Sequence, residues 1–271
     1  EAYLNGSYNG IYALVERIAI ESGKIDIEEV DVNGENLTGG YLIEKDAGDK
    51  VNWNGDPLFE CPYQANPNDD VFTVQAPDDP SQEVLDYLTA YMKRVHGAIM
   101  GTSGEDYTRY VDTDSWVDFV IMQEISKNID GNLKTSCYMY KEADNDKLYM
   151  TALWDFDNAY GNAGWDNKAP GRNDVVDCPS GTGTEDFMVI NSSCPWYQKL
   201  YTIPAFRQAL QEKYTQYRHT LVEDMFVKLD AGAAYLADAV PGQNEKWNRV
   251  GNHAERVAGL RSWLEGRLKW L

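Results

Sequence analysis

The stretch NIDGNLKTSCYMYKEADNDKLYMTALWDFDNAYGN, residues 128–162, decides the reading of this chain. It opens on a short polar turn that carries one carboxylate, Asp130. Two strands are expected next, at Ser136–Lys141 and Lys147–Leu153, joined by the polar turn EADND. A carboxylate doublet, Asp155 and Asp157, stands just past the second strand. The layout suits phosphoryl transfer, in which one acid orients the attacking hydroxyl and another holds the divalent metal on the nucleotide phosphates. Two strands and a turn give the chain between Asp130 and Asp155 enough length to bring both acids to one mouth.

Upstream, residues 1–76 read as β-rich. Gly10–Ile18 (GIYALVERI) and Gly40–Lys45 (GYLIEK) alternate apolar and polar residues, and Asn-Gly pairs at 5–6 and 9–10 signal turns. The Asn-, Asp-, Gly- and Pro-rich stretch Asp46–Asp70 reads as a surface loop. At Asp79-Pro80-Ser81-Gln82 a capping acid, a first-turn proline and a glutamine three residues on mark a helix start. Val84, Leu85, Leu88, Met92, Val95 and Ile99 then recur at helical spacing, and Gly101 can end the helix. A second helix is expected from Asp114, with Trp116, Phe119, Val120 and Ile125 inward. Residues 161–194 read as irregular, and the chain after Pro195 as helical to its end. The stripes Phe206, Leu210, Tyr214, Tyr217, Leu221 and Val257, Leu260, Leu264, Leu268, Leu271 are assigned to the core. The fold class is α+β: a β-rich N-terminal part, then a mainly helical part with a short β-hairpin inside it.

The 271 residues carry 44 acids against 24 bases, a formal charge of −20. That field repels nucleic acid and anionic membrane and favours divalent cations. No apolar run approaches the roughly 20 residues of a membrane span. No signal-peptide pattern is read, and the abrupt opening EAYLNGSYNG is expected of a piece of a longer protein. Cys61, Cys137, Cys178 and Cys194 form no CxxC pair, so zinc is disfavoured; Cys178 with Cys194 is the first-ranked disulfide. His96, His219 and His253 are isolated, each expected on a helix surface or in a satisfied core site, which argues against a histidine-based triad.

These blocks together resemble the CotH kinase family, secreted atypical kinases related to spore coat protein H. The resemblance runs through Leu4–Ile18, Gly39–Asp46, Ser115–Asp130, Ser136–Asn162, Pro195–Leu210 and Val257–Leu271. The KNID turn with WDFDNAYGN is its most specific part. It implies a kinase-like single domain over 1–271, with 1–78 an incomplete small lobe and hinge and 79–271 the large lobe. It implies Asp130 as the base, Asp155 as the metal ligand, and Asp157 as a second metal contact or a turn brace. Ser136 stands where kinase logic wants an asparagine for a second metal, and Asn132 is its substitute. Lys127 is a phosphate contact or a helix-end lysine. Glu16 and Glu44 are expected to face the nucleotide or to be surface strand residues, with the backbone of Arg17 at the adenine. The resemblance places the kinase lysine and its helix glutamate before Leu4. Lys24 and Lys45 are the nearby substitutes, and the given stretch is expected to leave the site incomplete.

The implied activity is transfer of the ATP γ-phosphoryl group, with Mg²⁺, Mn²⁺ or Ca²⁺, to Ser/Thr hydroxyls of extracellular or spore-surface proteins. The alternative is a non-catalytic CotH-like module of a secreted cell-surface or cellulose-degrading assembly. It would bind metal or carbohydrate, with Trp53, Trp165 and Trp247 as stacking candidates. A glycoside hydrolase using Asp155 and Asp157 is disfavoured, because residues two apart on one element give no opposed flanks around a sugar.

Overall fold

In the computed structural model, Tyr41–Lys45 (β3) is the middle strand of a five-stranded antiparallel sheet. The structure describes residues 1–46, 55–62, 71–128, 131, 133, 135–162, 183–187, 194–248 and 250–271. They fall into two compact units. One takes Ile18–Phe156 and Phe187–Lys213; the other takes Glu1–Arg17, Asp157–Asp186 and Tyr214–Leu271. The boundary at 78/79 expected from the sequence falls inside the first of these.

The larger unit holds the sheet. Its order is Leu58–Glu60 (β4), Val71–Ala76 (β5), β3, Cys137–Lys141 (β6) and Leu148–Met150 (β7). All five residues of β3 are buried, Glu44 and Lys45 included. The expected alternation of an exposed and a covered face therefore does not hold there, because both faces are covered. Gln82–Met100 (α1) follows a cap at Ser81, whose hydroxyl accepts from Val84 N. The cap is thus Ser81 and not Asp79: a capping oxygen must reach the second or third helical N–H, and Ser81 is the one adjacent. Gly101 closes α1 in the left-handed conformation, as expected.

Thr113–Ser126 (α2) is capped by Asp112, whose carboxylate accepts from Ser115 N at 3.0 Å. It is buried nearly all round: Val117 and Ile121 lie inside along with Trp116, Phe119, Val120 and Ile125. Pro195–Tyr201 (α3) supplies Trp196 and Tyr197 to an aromatic cluster in which Trp196 lies 5.9 Å from Trp116 and 6.1 Å from Phe72. Each such fully buried ring contributes about 2–3 kcal/mol of apolar burial. His96 is half-buried and satisfied, accepting from Trp196 Nε1 at 3.1 Å. Lys141 is held by the carbonyls of Thr38, Glu142 and Asn145 and by the faces of Tyr87 and Tyr91. Burial lowers its pKa to about 8.

The other unit begins with the hairpin Ala2–Leu4 (β1) and Ser7–Gly10 (β2), turned by Asn5 and Gly6, both at positive φ as the Asn-Gly signal requires. The strand expected over Gly10–Ile18 ends where it was to begin. Gly10 takes φ +121°, and residues 11–19 form no strand. Alternation without a partner strand does not make a ladder. Gly10 packs beneath Gln243 and Trp247, whose polar atoms bond Ile11 N and Asn9 O. The helices follow the expected course: Pro204–Arg218 (α4), Leu221–Leu236 (α5), Val240–Trp247 (α6) and His253–Trp270 (α7), the first shared between the two units. Of the two apolar stripes, Phe206 and Leu264 are buried and the rest are half-buried. Arg267 is fully buried and donates to the carbonyls of Thr184 and Asp186. The architecture is α+β, helical toward the C-terminus. Among the described residues no helix is long and apolar enough to cross a membrane.

Candidate active site

Helix α2 delivers the chain to the candidate catalytic turn. Lys127 caps it at φ +50°, its N–H bonding Gln123 and Glu124 carbonyls, and this left-handed residue swings the chain away from the helix axis. Gly131 N then donates to Asn128 O at 3.3 Å. Asp130 and Asn132 lie outside the described residues.

Asp155 is brought to this turn by the β6–β7 hairpin. Asn128 Nδ2 donates to the Asp155 carbonyl at 3.3 Å, and Ser136 Oγ donates to Asp155 Oδ2 at 3.3 Å. Lys127, Leu133, Ser136 and Asp155 all have φ between +50° and +58°. Four non-glycine residues in the left-handed region within one short constellation amount to stored backbone strain, which concentrates where geometry serves function.

The polar string continues into the end of β3. Thr135 Oγ1 donates to Asp46 Oδ1. Glu44 is cross-strand to Tyr138 and hydrogen-bonds its hydroxyl, and burial together with the Glu44 charge pushes the Tyr138 pKa up. Glu44 is thus a buried, bonded acid and not a surface strand residue. Lys45 Nζ donates to the Asp46 carbonyl at 2.9 Å and lies over the Phe72 ring. Lys45 and Lys127 are each only 1% exposed. Lys24, the other substitute lysine, makes a surface pair with Glu21. Asp46, Thr135 and Tyr138 went unassigned in the sequence because nothing in residue type marks a threonine or tyrosine as bonded to a buried acid.

The structure brings Glu44, Lys127, Ser136 and Asp155 into one unit. Glu16 and Arg17 belong to the other unit, are exposed, and lack the strand that was to present them. Asp157 also falls in that unit and is exposed; its backbone carbonyl accepts from Asn162 Nδ2 at 2.7 Å. Among the described residues no three His, Cys, Asp or Glu side chains gather as a metal site. Asp155 and Ser136 offer oxygen donors of the kind that suit Mg²⁺, which keeps several waters and needs few protein ligands. Of the tryptophans proposed to stack on sugar, Trp53 and Trp165 lie outside the described residues. Trp247 commits its N–H to Asn9 O at 2.8 Å. Cys178 lies outside too, while Cys194 is buried.

A search of curated proteins finds no match to the chain. The family model described as CotH kinase protein matches residues 1–271, the full length. The chain therefore belongs to the CotH kinase family.

Proposed function

We propose that this chain is the kinase domain of a secreted atypical protein kinase that moves the ATP γ-phosphoryl group to Ser or Thr hydroxyls of extracellular proteins. The observation that supports the reading is that Asn128, two residues before Asp130 in the sequence, donates through Nδ2 to the Asp155 carbonyl, while Ser136 Oγ donates to its carboxylate. Asp130 accepts the proton of the attacking hydroxyl. Asp155, with Ser136 and Asn132, would hold the divalent metal, which supplies neutralisation of phosphate charge. Lys127 and Glu44 are assigned to the phosphates and to the nucleotide side by the family resemblance. Residues 1–78 act as the small-lobe side and 79–271 as the large lobe.

The test mixes the protein with ATP labelled on its γ-phosphate, Mg²⁺ or Mn²⁺, and extracellular proteins. Asp130→Ala and Asp155→Asn are each expected to lower transfer at least about 100-fold. Transfer that survives both substitutions would remove the assignment.

A further inference from the structure

Strand β3 ends beside the segment that presents Ser136. The β3–β6 ladder pairs Glu44 with Tyr138 and Lys45 with Cys137, so one residue further the register sets Asp46 opposite Ser136. Ser136 takes φ +54° there, which no extended ladder can accommodate. Asp46 is fixed through two groups: its carbonyl accepts from Lys45 Nζ at 2.9 Å, and its carboxylate accepts from Thr135 Oγ1. Thr135 is fixed in turn, since its carbonyl accepts from Cys137 Sγ at 3.2 Å. All of these residues, with Asp155, belong to one unit.

The bonds around Ser136 are unequal. Its hydroxyl stands 3.3 Å from Asp155 Oδ2, past the roughly 2.5–3.0 Å of an ordinary hydroxyl donor. So long a contact does not hold a residue in the left-handed region, which persists only where the surroundings over-determine it. The bond from Thr135 to Asp46 is buried, with Thr135 4% and Asp46 6% exposed, and its acceptor is a carboxylate, which makes it the stronger of the two. The backbone of Ser136 is therefore set from Thr135, and Thr135 from Asp46.

We propose that Asp46 is a positioning residue of the candidate site: acting through Thr135, it holds Ser136 in the left-handed conformation that aims its hydroxyl at Asp155, and so keeps those two oxygens together for a divalent cation carried by nucleotide phosphates. Asp46 does not itself touch the cation. It supports the residues that do, as a carboxylate or carbonyl behind a metal ligand commonly does. The proposal takes its purpose from the kinase reading, but the positioning is measured without nucleotide.

The first measurement is the φ of Ser136 in crystal structures without nucleotide. Ser136 is expected to leave the left-handed region in Asp46→Ala and in Thr135→Val, and to stay there in Asp46→Asn and Thr135→Ser, which keep the acceptor and the hydroxyl. Thr135→Val, close to threonine in shape, covers the case in which Asp46→Ala does not fold. The second is the affinity for Mn²⁺ with a non-hydrolysable ATP analogue, read from the electron paramagnetic resonance signal of free Mn²⁺. Asp46→Ala and Thr135→Val are each expected to weaken it about tenfold, the double variant also about tenfold because the two act in series, and Asp46→Asn at most about twofold. Ser136 unmoved in both Asp46→Ala and Thr135→Val would overturn the proposal, as would an unchanged Mn²⁺ affinity where Ser136 has moved. A double loss near a hundredfold, or Asp46→Asn as weak as Asp46→Ala, would overturn it too, by making Asp46 a direct contact of the cation. Movement of Ser136 as expected, with no Mn²⁺ or analogue bound by the wild type, would leave the positioning standing and remove the kinase reading; tight binding by the wild type with Ser136 unmoved in the variants would do the reverse.

Discussion

Gly131→Ala tests the packing beneath the candidate catalytic turn. A Cβ built on Gly131 would fall 2.5 Å from Gln123 Nε2, and closer still to its Cδ and Oε1. Ordinary contacts are near 3.4–4 Å, so the overlap with the nearest atoms exceeds 1 Å. Gln123 has little room to give: it is 1% exposed, and its carbonyl already accepts from Asn128 N and from the Lys127 cap. Overpacking of this kind costs about 1–3 kcal/mol, and each kcal/mol lowers Tm by roughly 2–4 °C in a chain of this size. Gln123→Ala alone opens a small cavity, yet its Oε1 meets no hydrogen-bond partner among the described residues, so its own cost is expected near about 1 kcal/mol. The double variant is expected to be more stable than the sum of the two costs by about 1–2 kcal/mol, because the truncated side chain makes room for the new methyl. Urea denaturation of the four proteins gives the cycle. Phosphoryl transfer at 25 °C, where all four remain folded, shows whether displacing Gly131, next to Asp130 in the sequence, lowers activity. Additivity within about 0.5 kcal/mol would refute the steric argument.

Gly39→Ala meets backbone instead, since its Cβ would enter the Glu142–Ala143 peptide; a loss of at least about 3 kcal/mol is expected by denaturation, and no side-chain truncation should restore it. Asp112→Ala removes the α2 cap and is expected to cost about 1–2 kcal/mol, with Asp112→Asn losing a few tenths; equal losses would assign the effect to charge alone. His96 accepts from Trp196 through Nδ1, and burial lowers its pKa below the unfolded value of 6.5. The folded state then binds fewer protons, so this contribution is complete above about pH 6.5 and is lost as pH falls through the lowered folded value. His96→Asn should flatten the difference in Tm between about pH 7 and pH 5, and parallel profiles for the two proteins would contradict it.

The helices were legible because their signals are local. Ser81, Pro80 and Gly101 bracket α1 in the sequence, and the apolar spacing between them needs no distant partner. The hairpin of β6 and β7 was legible for the same reason. The segment GIYALVERI shows the limit of that logic: period-two alternation states how side chains would face, and says nothing of whether a neighbouring strand supplies hydrogen bonds. Helix α2 shows another. With Val117 and Ile121 buried as well as Trp116 and Phe119, its covered surface is wider than one stripe, so periodicity identifies too few of its core residues.

At the candidate site the residue types were readable and the conformation was not. Asp155 and Ser136 were named as candidates through the family resemblance, but their left-handed φ values could not be read, since neither is the glycine that usually marks such a position. Glu44 and Lys45 broke the pattern in the opposite sense: polar residues that propensity would expose are buried on β3. Both departures point the same way. Four strained non-glycine residues and a buried acid bonded to Tyr138 raise the free energy of the isolated segments, and only the surrounding sheet and α2 hold them in place. A protein retains such costs where a particular arrangement of oxygen atoms matters more than local stability. Relaxing one of them should therefore stabilise the fold while lowering activity: Ser136→Gly, which accepts φ +54° without strain but loses the hydroxyl on Asp155, is expected to keep or raise Tm and to reduce transfer. A Ser136→Gly protein with full transfer would show that the hydroxyl serves the backbone and not the chemistry.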